Sequence, residues 1–438
     1  MNICLVEENT YKNLLPITST RPLFGVRCGR FTLEERIFTI LESHQVEIDE
    51  VSYVMRKELE PVWKKNLGSD IDISFNIPEN KQSLILNGSV LWEEEKLIKI
   101  LSGCDGNLSK IWIKDNNWIA IYVPKRSNFP NRTQLINNSL KLEDFESKEE
   151  LNVDMINSPW EVIDYNSKMI QHDFELSCTC LKKLAVPPLP KNVFVTNSEK
   201  LIIGNQSEIY PFVTLDSSKG PIIIGDNVTI EPGVFIKGPV SIGDDCLISA
   251  NTKIYQNTTL GNTCKIGGEL SNSIIHGYSN KEHYGFLGNS YVGEWVNLGA
   301  GTTNSNLKNN YNFIKVDING ERVNSGSQFV GAFIGDFTKT AIGSHINNGC
   351  LIGVGSNIFG CELYSKKIDH FTWGAPNNNE MFKFQKFIES IHRMMVRRNV
   401  QLTLEQVKML RVLYKRAKVA RKVAESSRAR YKKPLLKD

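Results

Sequence analysis

Three arginines lie in one short segment near the N-terminus, immediately before a predicted helix. Arg21, Arg27 and Arg30 fall in a loop shaped by Pro and Gly, and Thr32 begins a helix in which Glu35 is placed for a capping box. Free N–H groups at a helix start and a cluster of guanidinium groups both attract anions. A single surface arginine usually pairs with a nearby acid, but this trio favours phosphate binding.

A single histidine is the second candidate for chemistry. His283 lies in Gly277–Gly285, where a six-residue repeat described below is interrupted, and asparagines are frequent around it. A neutral imidazole can act as a general base near pH 7 with little tuning of its pKa. Loops that leave a repetitive structure commonly carry function, so we predict a site here.

The arginine loop needs an α/β fold to hold it. Ile3–Val6 predicts a short strand before the loop, and the helix after Thr32 has an apolar face. Ser83–Leu86 predicts a second buried strand that ends at Asn87-Gly88-Ser89. Strand, loop and helix in this order are typical of a Rossmann-like nucleotide-binding domain.

An aliphatic residue recurs at every sixth position across the middle of the chain. A spacing of six fits neither an α-helix nor an alternating strand, but it is the period of a hexapeptide parallel β-helix. Three such units make one coil, so equivalent residues lie 18 positions apart and form apolar ladders. We assign no chemistry to the repeat itself, whose aliphatic positions are Ile224, Ile230, Ile236, Ile242, Ile248, Ile254, Leu260 and Ile266.

Composition bounds the rest of the interpretation. The 438 residues predict two or three domains. No apolar run approaches a membrane span, and the first residues lack the pattern of a signal peptide, so we expect a cytoplasmic protein. Nine cysteines without a zinc-type spacing predict free thiols and no structural metal.

The C-terminal end is strongly basic. Residues 391–438 contain 15 Lys or Arg against three acids, while the whole chain carries only +4, which leaves −8 for residues 1–390. Helices are predicted from Met381 to Val400 and from Thr403 to about Arg430, the second one beginning with a Thr403–Gln406 capping box. We predict that this tail binds a polyanion or an acidic protein surface.

The run LLPITSTRPLFGVRCGRFTLEERI (residues 14–37) resembles the sugar nucleotidyltransferase-like proteins that carry a C-terminal hexapeptide β-helix. More distantly, it is similar to the bifunctional N-acetylglucosamine-1-phosphate uridyltransferases. The resemblance implies transfer of a nucleotide from a nucleoside triphosphate to a sugar 1-phosphate, with Mg²⁺ as cofactor and with Arg21, Arg27 and Arg30 in catalytic roles at phosphate. The chain lacks the family's Gly-x-Gly-x-x-Arg loop, and Asn87 and Ser89 replace its strand-end Asp.

The run PWEVIDYN (residues 159–166) is similar to the family segment that supplies the second metal ligand. The resemblance implies a metal role for Asn166, and the nearby Asp164 and Glu161 could substitute for it as ligands. We therefore predict Asn166 and Asp164 as metal ligands, and Asn87 and Glu161 as substrate or cofactor contacts. The alternative is that these polar groups only cap helices and strand ends.

Residues 283–302 closely resemble the acetyltransferase half of the same bifunctional enzymes. The resemblance implies a general base at His283, an acceptor-sugar contact at Asn297, a backbone contact to acetyl-CoA or another acyl-CoA at Ala300, and a further active-site residue at Asn306. Phe286 replaces the family's Tyr, and Ser271-Asn272 replaces its lysine pair, so the acceptor is open to a different hydroxyl or amine. The hexapeptide β-helices of this family form trimers, so the resemblance implies a homotrimer.

The expected fold class is therefore an α/β nucleotidyltransferase-like, Rossmann-like N-terminal domain, then a left-handed parallel β-helix, then C-terminal α-helices. The predicted boundaries are 1–180 for the first domain, 181–192 for a Pro-rich linker, 193–376 for the β-helix and 377–438 for the basic helical segment. Three functions remain open: a sugar-1-phosphate nucleotidyltransferase with possible acyl transfer, an acyltransferase with a degenerate nucleotide-sugar-binding domain, and a non-catalytic nucleotide-sugar-binding scaffold.

Overall fold

The structure is a computed structural model of the chain. It describes residues 1–66, 73–78, 81–104, 106–125, 129–180, 188–360, 362–375 and 378–431. Most of the predicted linker, including Val186 and Pro187, lies outside these residues. The domain boundaries drawn from the sequence stay a prediction.

The N-terminal part is an α/β unit built on a seven-stranded sheet with the order β3-β2-β1-β4-β7-β6-β8. Its strands are β1 (Asn2–Val6), β2 (Val51–Val54), β3 (Ile73–Ser74), β4 (Ser83–Asn87), β6 (Lys110–Lys114), β7 (Asn117–Val123) and β8 (Ser147–Glu150), and a separate pair is formed by β5 (Val90–Leu91) and β9 (Asp154–Met155). Its helices are α1 (Leu33–Ser43), α2 (Glu60–Asn66), α3 (Glu94–Ser102), α4 (Arg132–Ile136), α5 (Pro159–Asp164) and α6 (Asn166–Cys180).

The position of β1 in this sheet defines where ligands bind in folds of this type. β1 pairs in parallel with both β2 and β4, which lie on opposite sides of it. Successive strands are therefore added on one side of β1 and then on the other, which makes β1 the switch point of the sheet. Open α/β sheets bind ligands beyond the carboxyl ends of the strands at such a point. The predicted strands at Ile3–Val6 and Ser83–Leu86 are confirmed, and so is the capping box of α1 between Thr32 and Glu35.

The middle of the chain is a prism of three parallel sheets. The first face contains β10 (Phe194–Thr196), β13 (Thr214–Asp216), β16 (Phe235–Lys237), β19 (Lys253–Ile254), β22 (Glu269–Ser271) and β25 (Phe286–Gly288), with β28 (Thr303–Asn304) and β33 (His345–Ile346) as a further pair. The second face contains β11 (Leu201–Ile203), β14 (Ile222–Ile224), β17 (Val240–Ile242), β20 (Thr258–Leu260), β23 (Ile274–Gly277), β26 (Tyr291–Glu294), β31 (Ala332–Ile334), β34 (Cys350–Ile352) and β36 (Lys367–Ile368). The third face contains β12 (Glu208–Ile209), β15 (Thr229–Ile230), β18 (Leu247–Ile248), β21 (Lys265–Ile266), β24 (Asn280–Lys281), β27 (Asn297–Leu298), β32 (Lys339–Thr340), β35 (Asn357–Ile358), β37 (Thr372–Ala375) and β38 (Asn378–Met381).

The hexapeptide ladders are confirmed. Ile224 pairs with Ile242 and Ile230 with Ile248, each 18 residues apart, and all eight predicted aliphatic positions lie in one buried cluster inside the prism. A second continuous apolar cluster joins the α/β unit, the outer side of the prism and the C-terminal helices.

The predicted excursion at Gly277–Gly285 is wrong in one respect. Asn280–Lys281 forms β24, which pairs with β21 and β27. The chain therefore stays within the prism, where this coil has fewer residues than its neighbours. Lys281 takes the position that Ile266 holds in the preceding coil and is buried, not exposed as the interrupted repeat predicts. Its Nζ donates to the carbonyl oxygens of Gly267 at 2.8 Å and His283 at 2.9 Å, which satisfies a polar group that burial would otherwise penalise.

The polar segment 309–328, which follows the coil of β27 and β28, contains an antiparallel hairpin formed by β29 (Lys315–Ile318) and β30 (Glu321–Asn324). The first C-terminal helix, α7, runs from Phe384 to Val396, and not from Met381, because β38 pairs with β37 up to that residue. The second, α8, spans Leu404–Tyr431 after the predicted Thr403 cap. Within the described residues, no helix combines the length and apolar composition that a membrane crossing requires.

Candidate active site

The arginine loop lies between the α/β unit and the prism. Arg21 is buried, and its Nη2 lies 2.7 Å from Oδ2 of Asp336 and 3.2 Å from Oε2 of Glu294, both on the prism. Thr20 donates to the same Asp336 oxygen at 2.5 Å. The two carboxylates therefore neutralise Arg21, and its position between them ties the loop to the prism.

Arg27 and Arg30 have fewer acceptors. The Nη1 of Arg27 donates to the carbonyl of Arg30, and its Nη2 lies 3.5 Å from Glu35. The Nε of Arg27 and the Nη1 of Arg30 are buried, and neither has an acceptor among the described residues. Burial also lowers the pKa of the Arg30 guanidinium. A buried N–H without an acceptor is costly, so both groups are suited to an anionic ligand.

All three arginines line one cavity of about 650 Å³, a size typical of small-molecule sites. Its walls are α1 and α2, the corner between the second and third faces of the prism, and one side of α8. Trp63 and Trp295 supply aromatic surface from opposite walls. The cavity thus combines cations with flat apolar surface.

Carboxylates also line this cavity, and burial changes the charge of one of them. Burial raises the pKa of Glu34 to about 7, opposed by hydrogen bonds from Tyr53 and Trp63, so near neutral pH this group is partly protonated. His276 is buried beside Tyr291, with its Nδ1 2.8 Å from the phenol oxygen, and burial together with Arg21 and Arg27 holds its pKa well below 6.5. His276 is therefore a neutral hydrogen-bonding group at physiological pH.

A buried ion pair fixes the end of the arginine loop. Arg36 and Asp173 are fully buried, with Nε and Oδ1 2.7 Å apart. Oδ2 of Asp173 also accepts from the backbone N–H of Arg30 at 2.8 Å. Gly29, which directly precedes Arg30, has a φ of +81°. A Cβ at this position would lie 2.4 Å from the carboxylate of Asp173, so only glycine fits.

Of the two residues predicted to bind Mg²⁺, Asn166 forms hydrogen bonds within the chain and Asp164 lies at the surface. The side-chain oxygen of Asn166 accepts from the N–H of Gly29 at 2.7 Å and from Thr259 at 3.1 Å, and its amide donates to the carbonyl of Asn257. Asn166 thus joins the arginine loop to the prism, and both lone pairs of its oxygen are occupied. Asp164 is exposed at the end of α5, and burial of part of its surface raises the pKa of its carboxyl.

The two predicted substrate or cofactor contacts near the sheet are also occupied. The oxygen of Asn87 accepts from the N–H and the hydroxyl of Ser89, and Glu161 accepts from two N–H groups at the start of α5. Among the described residues, no group of three or more His, Cys, Asp or Glu is arranged to hold a metal. The residues present do not fit a protein-bound Mg²⁺ in this conformation, and the site roles stay predictions.

Sequence reasoning missed Glu8, which follows β1 at the switch point of the sheet. Its carboxyl is buried, and Oε1 has no hydrogen-bond partner among the described residues. Its neighbour Glu7 is paired with Arg56 through two short contacts of 2.9 and 3.0 Å. Two acids directly after the first strand were the signal in the sequence that could have identified this position.

Substitution of Glu8 by Gln is expected to change how stability depends on pH. Burial raises the pKa of Glu8 from 4.5 to about 7. The folded state therefore holds a proton that the unfolded state loses, and wild-type stability falls as pH rises from 4.5 through 7. As the pH is raised from 5 to 8, the difference in unfolding free energy between Glu8→Gln and wild type should change by about 2–3 kcal/mol in favour of the variant. Urea unfolding of both proteins at pH 5 and pH 8 measures this difference. Glu199→Gln, which changes an exposed glutamate, is the control. An equal dependence of stability on pH in wild type and Glu8→Gln would contradict the prediction.

Two of the residues predicted for acyl transfer, His283 and Ala300, lie at a different corner of the prism, between the third and first faces. His283 is exposed there, and its ring forms no hydrogen bond with a described residue. Ala300 occupies the same corner in the next coil, where Gly301 donates to the carbonyl of Tyr284 at 3.0 Å. Asn297 accepts from Asn280 on the third face, and Asn306 donates to Asn289 at the far side of the first face. The structure therefore brings His283 and Ala300 to one corner, whereas Asn297 lies on the third face and Asn306 at the far side of the first face. None of the four lines the arginine cavity.

Comparison with known proteins adds to this geometry. Residues 3–179 match the family model described as sugar nucleotidyl transferase. The bifunctional sugar-1-phosphate nucleotidylyltransferase/acetyltransferase of Sulfurisphaera tokodaii is 38% identical over 143 residues, which are 32% of this chain and 36% of that protein. The bifunctional protein GlmU of Methanococcus aeolicus is 36% identical over 88 residues, 20% of this chain and 21% of that protein.

These alignments span about a third or less of the length of both relatives. A solved structure of 4-diphosphocytidyl-2C-methyl-D-erythritol synthase from Anaerococcus prevotii covers 38% of this chain and 97% of its own, at 13% identity and a TM-score of 0.25, a score too low to carry an argument. The match covers the part of the chain that forms the seven-stranded sheet. Residues 3–179 are therefore similar to the sugar nucleotidyl transferase family, and in this chain they are followed by a parallel β-helix.

Proposed function

We propose that the chain is a sugar-1-phosphate nucleotidyltransferase that binds its nucleotide in the cavity between the α/β unit and the prism. The observation that carries this proposal is the pair of buried arginine N–H groups, on Arg27 and Arg30, that lack an acceptor among the described residues of a cavity of about 650 Å³. Trp63 is partly exposed and offers apolar ring surface to a nucleobase. The family match over residues 3–179 supports the same activity.

The reaction requires positioning and charge stabilisation but no covalent intermediate. A phosphate oxygen of the sugar 1-phosphate attacks the α-phosphorus of the nucleoside triphosphate, a new P–O bond forms, and the bond to the β-phosphate breaks to release pyrophosphate. Arg27 and Arg30 neutralise the charge that develops on the phosphate oxygens. Because the side-chain oxygen of Asn166 already accepts two hydrogen bonds, Mg²⁺ is proposed only as the ion that accompanies the triphosphate.

Replacing Arg27 and Arg30 together by Ala is expected to weaken binding of nucleoside triphosphate by roughly 100-fold or more, because two charge-assisted contacts to phosphate are lost. Isothermal calorimetry in Mg²⁺ buffer measures this effect. The loop should keep its place, since the backbone N–H of Arg27 donates to Tyr291 and that of Arg30 to Asp173, and neither contact needs the arginine side chain.

Arg393→Ala/Arg397→Ala is the matched control, because it removes the same charge from two exposed positions, one on α7 and one directly after it. Unchanged nucleotide affinity in the Arg27/Arg30 variant, or an equal loss in the control, would contradict the assignment. Absence of binding by the wild-type protein to any nucleoside triphosphate would contradict the proposal as a whole.

Acyl transfer by the prism is a second candidate function, favoured by the exposure of the His283 ring on a corner that also exposes Tyr284 and Ile342. In this proposal His283 takes the proton from a sugar hydroxyl or amine, whose oxygen or nitrogen attacks the thioester carbon of acetyl-CoA or another acyl-CoA. The C–S bond breaks and coenzyme A leaves as the thiolate. Asn297, Ala300 and Asn306 would position the acceptor and the acyl donor.

The exposed apolar side chains at this corner also support a homotrimer. Tyr284 and Ile342 are 74% and 77% exposed, and large apolar groups in such positions commonly mark interfaces. In a trimer of prisms, a neighbouring copy would cover this corner and complete the acyl-transfer site. We further propose a cytoplasmic location and a basic tail that binds a polyanion or an acidic protein surface.

A further inference from the structure

The C-terminal helix α8 carries a row of cations that the nucleotidyl-transfer proposal does not use. Five basic residues repeat at alternating intervals of three and four positions, which places them on one side of an α-helix. All five are exposed: Lys408, Arg411, Lys415, Lys418 and Lys422. At 1.5 Å per residue the row, here called the basic row, is about 21 Å long.

Contacts elsewhere on α8 hold the helix with this row facing outward. Leu410 and Met409 are buried against the rest of the chain, Arg416 pairs with Glu58, and the Nη2 of Arg421 donates to the backbone and side-chain oxygens of Asn379 at 2.8 and 2.9 Å. In contrast, no member of the basic row forms an ion pair with a described residue. Glu58 therefore pairs with Arg416 and not with the row. Arg411 packs over the ring of Phe384 at 4.7 Å but stays exposed, and none of the five charges is neutralised by an ion pair with a described residue.

The chemistry of the row fits a linear polyanion more closely than a membrane surface. A helix that lies on a bilayer needs a broad apolar face, whereas residues 415–426 present only Val419 and Val423 as exposed large aliphatics. A nucleic-acid backbone offers closely spaced phosphates along a line, and lysines bind it as point charges without reading sequence. We propose that the basic row binds the phosphate backbone of nucleic acid.

The test uses the full-length protein and fluorescence anisotropy with a labelled 20-base-pair DNA duplex of arbitrary sequence and with a labelled single-stranded RNA. Five phosphate contacts predict a slope of log affinity against log salt of about −4.5 for the duplex, so raising salt from 50 to 200 mM should weaken binding about 500-fold. Lys415→Ala/Lys418→Ala/Lys422→Ala should reduce that loss to about 10-fold, because three of the contacts are removed.

The matched control is Lys200→Ala/Lys219→Ala/Lys253→Ala, which removes three exposed lysines from the prism. Weaker binding and a shallower salt slope in the α8 variant alone support the proposal. Failure of both probes to bind at 50 mM salt, or equal losses in the two variants, would overturn it. None of these outcomes depends on whether the nucleotide cavity is active, because the row does not line that cavity.

Discussion

Replacing Arg36 by Met is expected to lower the free energy of unfolding by about 3–5 kcal/mol. Arg36 and Asp173 are both 0% exposed, so removal of the guanidinium leaves a carboxylate buried without its charge partner. The loss should also loosen the arginine loop, since Asp173 holds the N–H of Arg30 and Arg36 donates to the carbonyl of Cys28. Denaturant unfolding at neutral pH gives the value directly.

Two further variants decide whether the ion pair is the cause. Arg416→Met makes the same substitution in the exposed ion pair with Glu58, and it should lower the free energy of unfolding by less than about 1 kcal/mol. Arg36→Met/Asp173→Asn should lose less than the sum of its single variants, because the second change removes the unpaired charge. A loss below about 1 kcal/mol for Arg36→Met would show that the buried pair does not hold the loop.

Removal of the His283 imidazole is expected to lower the rate of acyl transfer roughly 10²- to 10⁴-fold, the usual contribution of a general base. Stability should change little, because the side chain is exposed and the ladders of the prism do not include it. The measurement is release of coenzyme A from acetyl-CoA by His283→Ala and wild type, with amino sugars and nucleotide-sugars as acceptors.

His392→Ala provides the control for His283, since it removes an exposed imidazole from α7. Acyl transfer is contradicted by a wild-type protein that releases no coenzyme A with any acceptor. It is also contradicted by a His283→Ala variant as active as the wild type. Either result would leave nucleotidyl transfer untouched, because the two proposed sites lie at different corners of the prism.

Local patterns predicted most of the fold. The period of six identified the prism because inward side chains must be apolar in every coil, and the capping boxes at Thr32 and Thr403 placed the starts of two helices. Local patterns failed where pairing partners lie far apart in the chain. Lys281 reads as a loop residue, but pairing of β24 with β21 places it on a buried ladder, and carbonyl oxygens satisfy its amine.

The surroundings of the arginines could not be predicted for the same reason. Arg21 meets Asp336, 315 residues later, and Asn166 meets Asn257 and Thr259 across the junction of the α/β unit and the prism. Such contacts depend on how two units dock, which no spacing in the sequence encodes. The phosphate-binding role of Arg27 and Arg30 and the role of His283 stay predictions, and the structure adds which of their polar atoms have partners.

Release of pyrophosphate tests the central claim most directly. The four nucleoside triphosphates would be combined with common sugar 1-phosphates in the presence of Mg²⁺, using wild type, Arg27→Ala/Arg30→Ala and His283→Ala. We expect at least one pair of substrates to release pyrophosphate with wild type and His283→Ala, and the arginine variant to be slower by 100-fold or more. If calorimetry detects nucleotide binding but no pair of substrates releases pyrophosphate, the arginine cavity only binds nucleotide and the nucleotidyltransferase assignment is wrong.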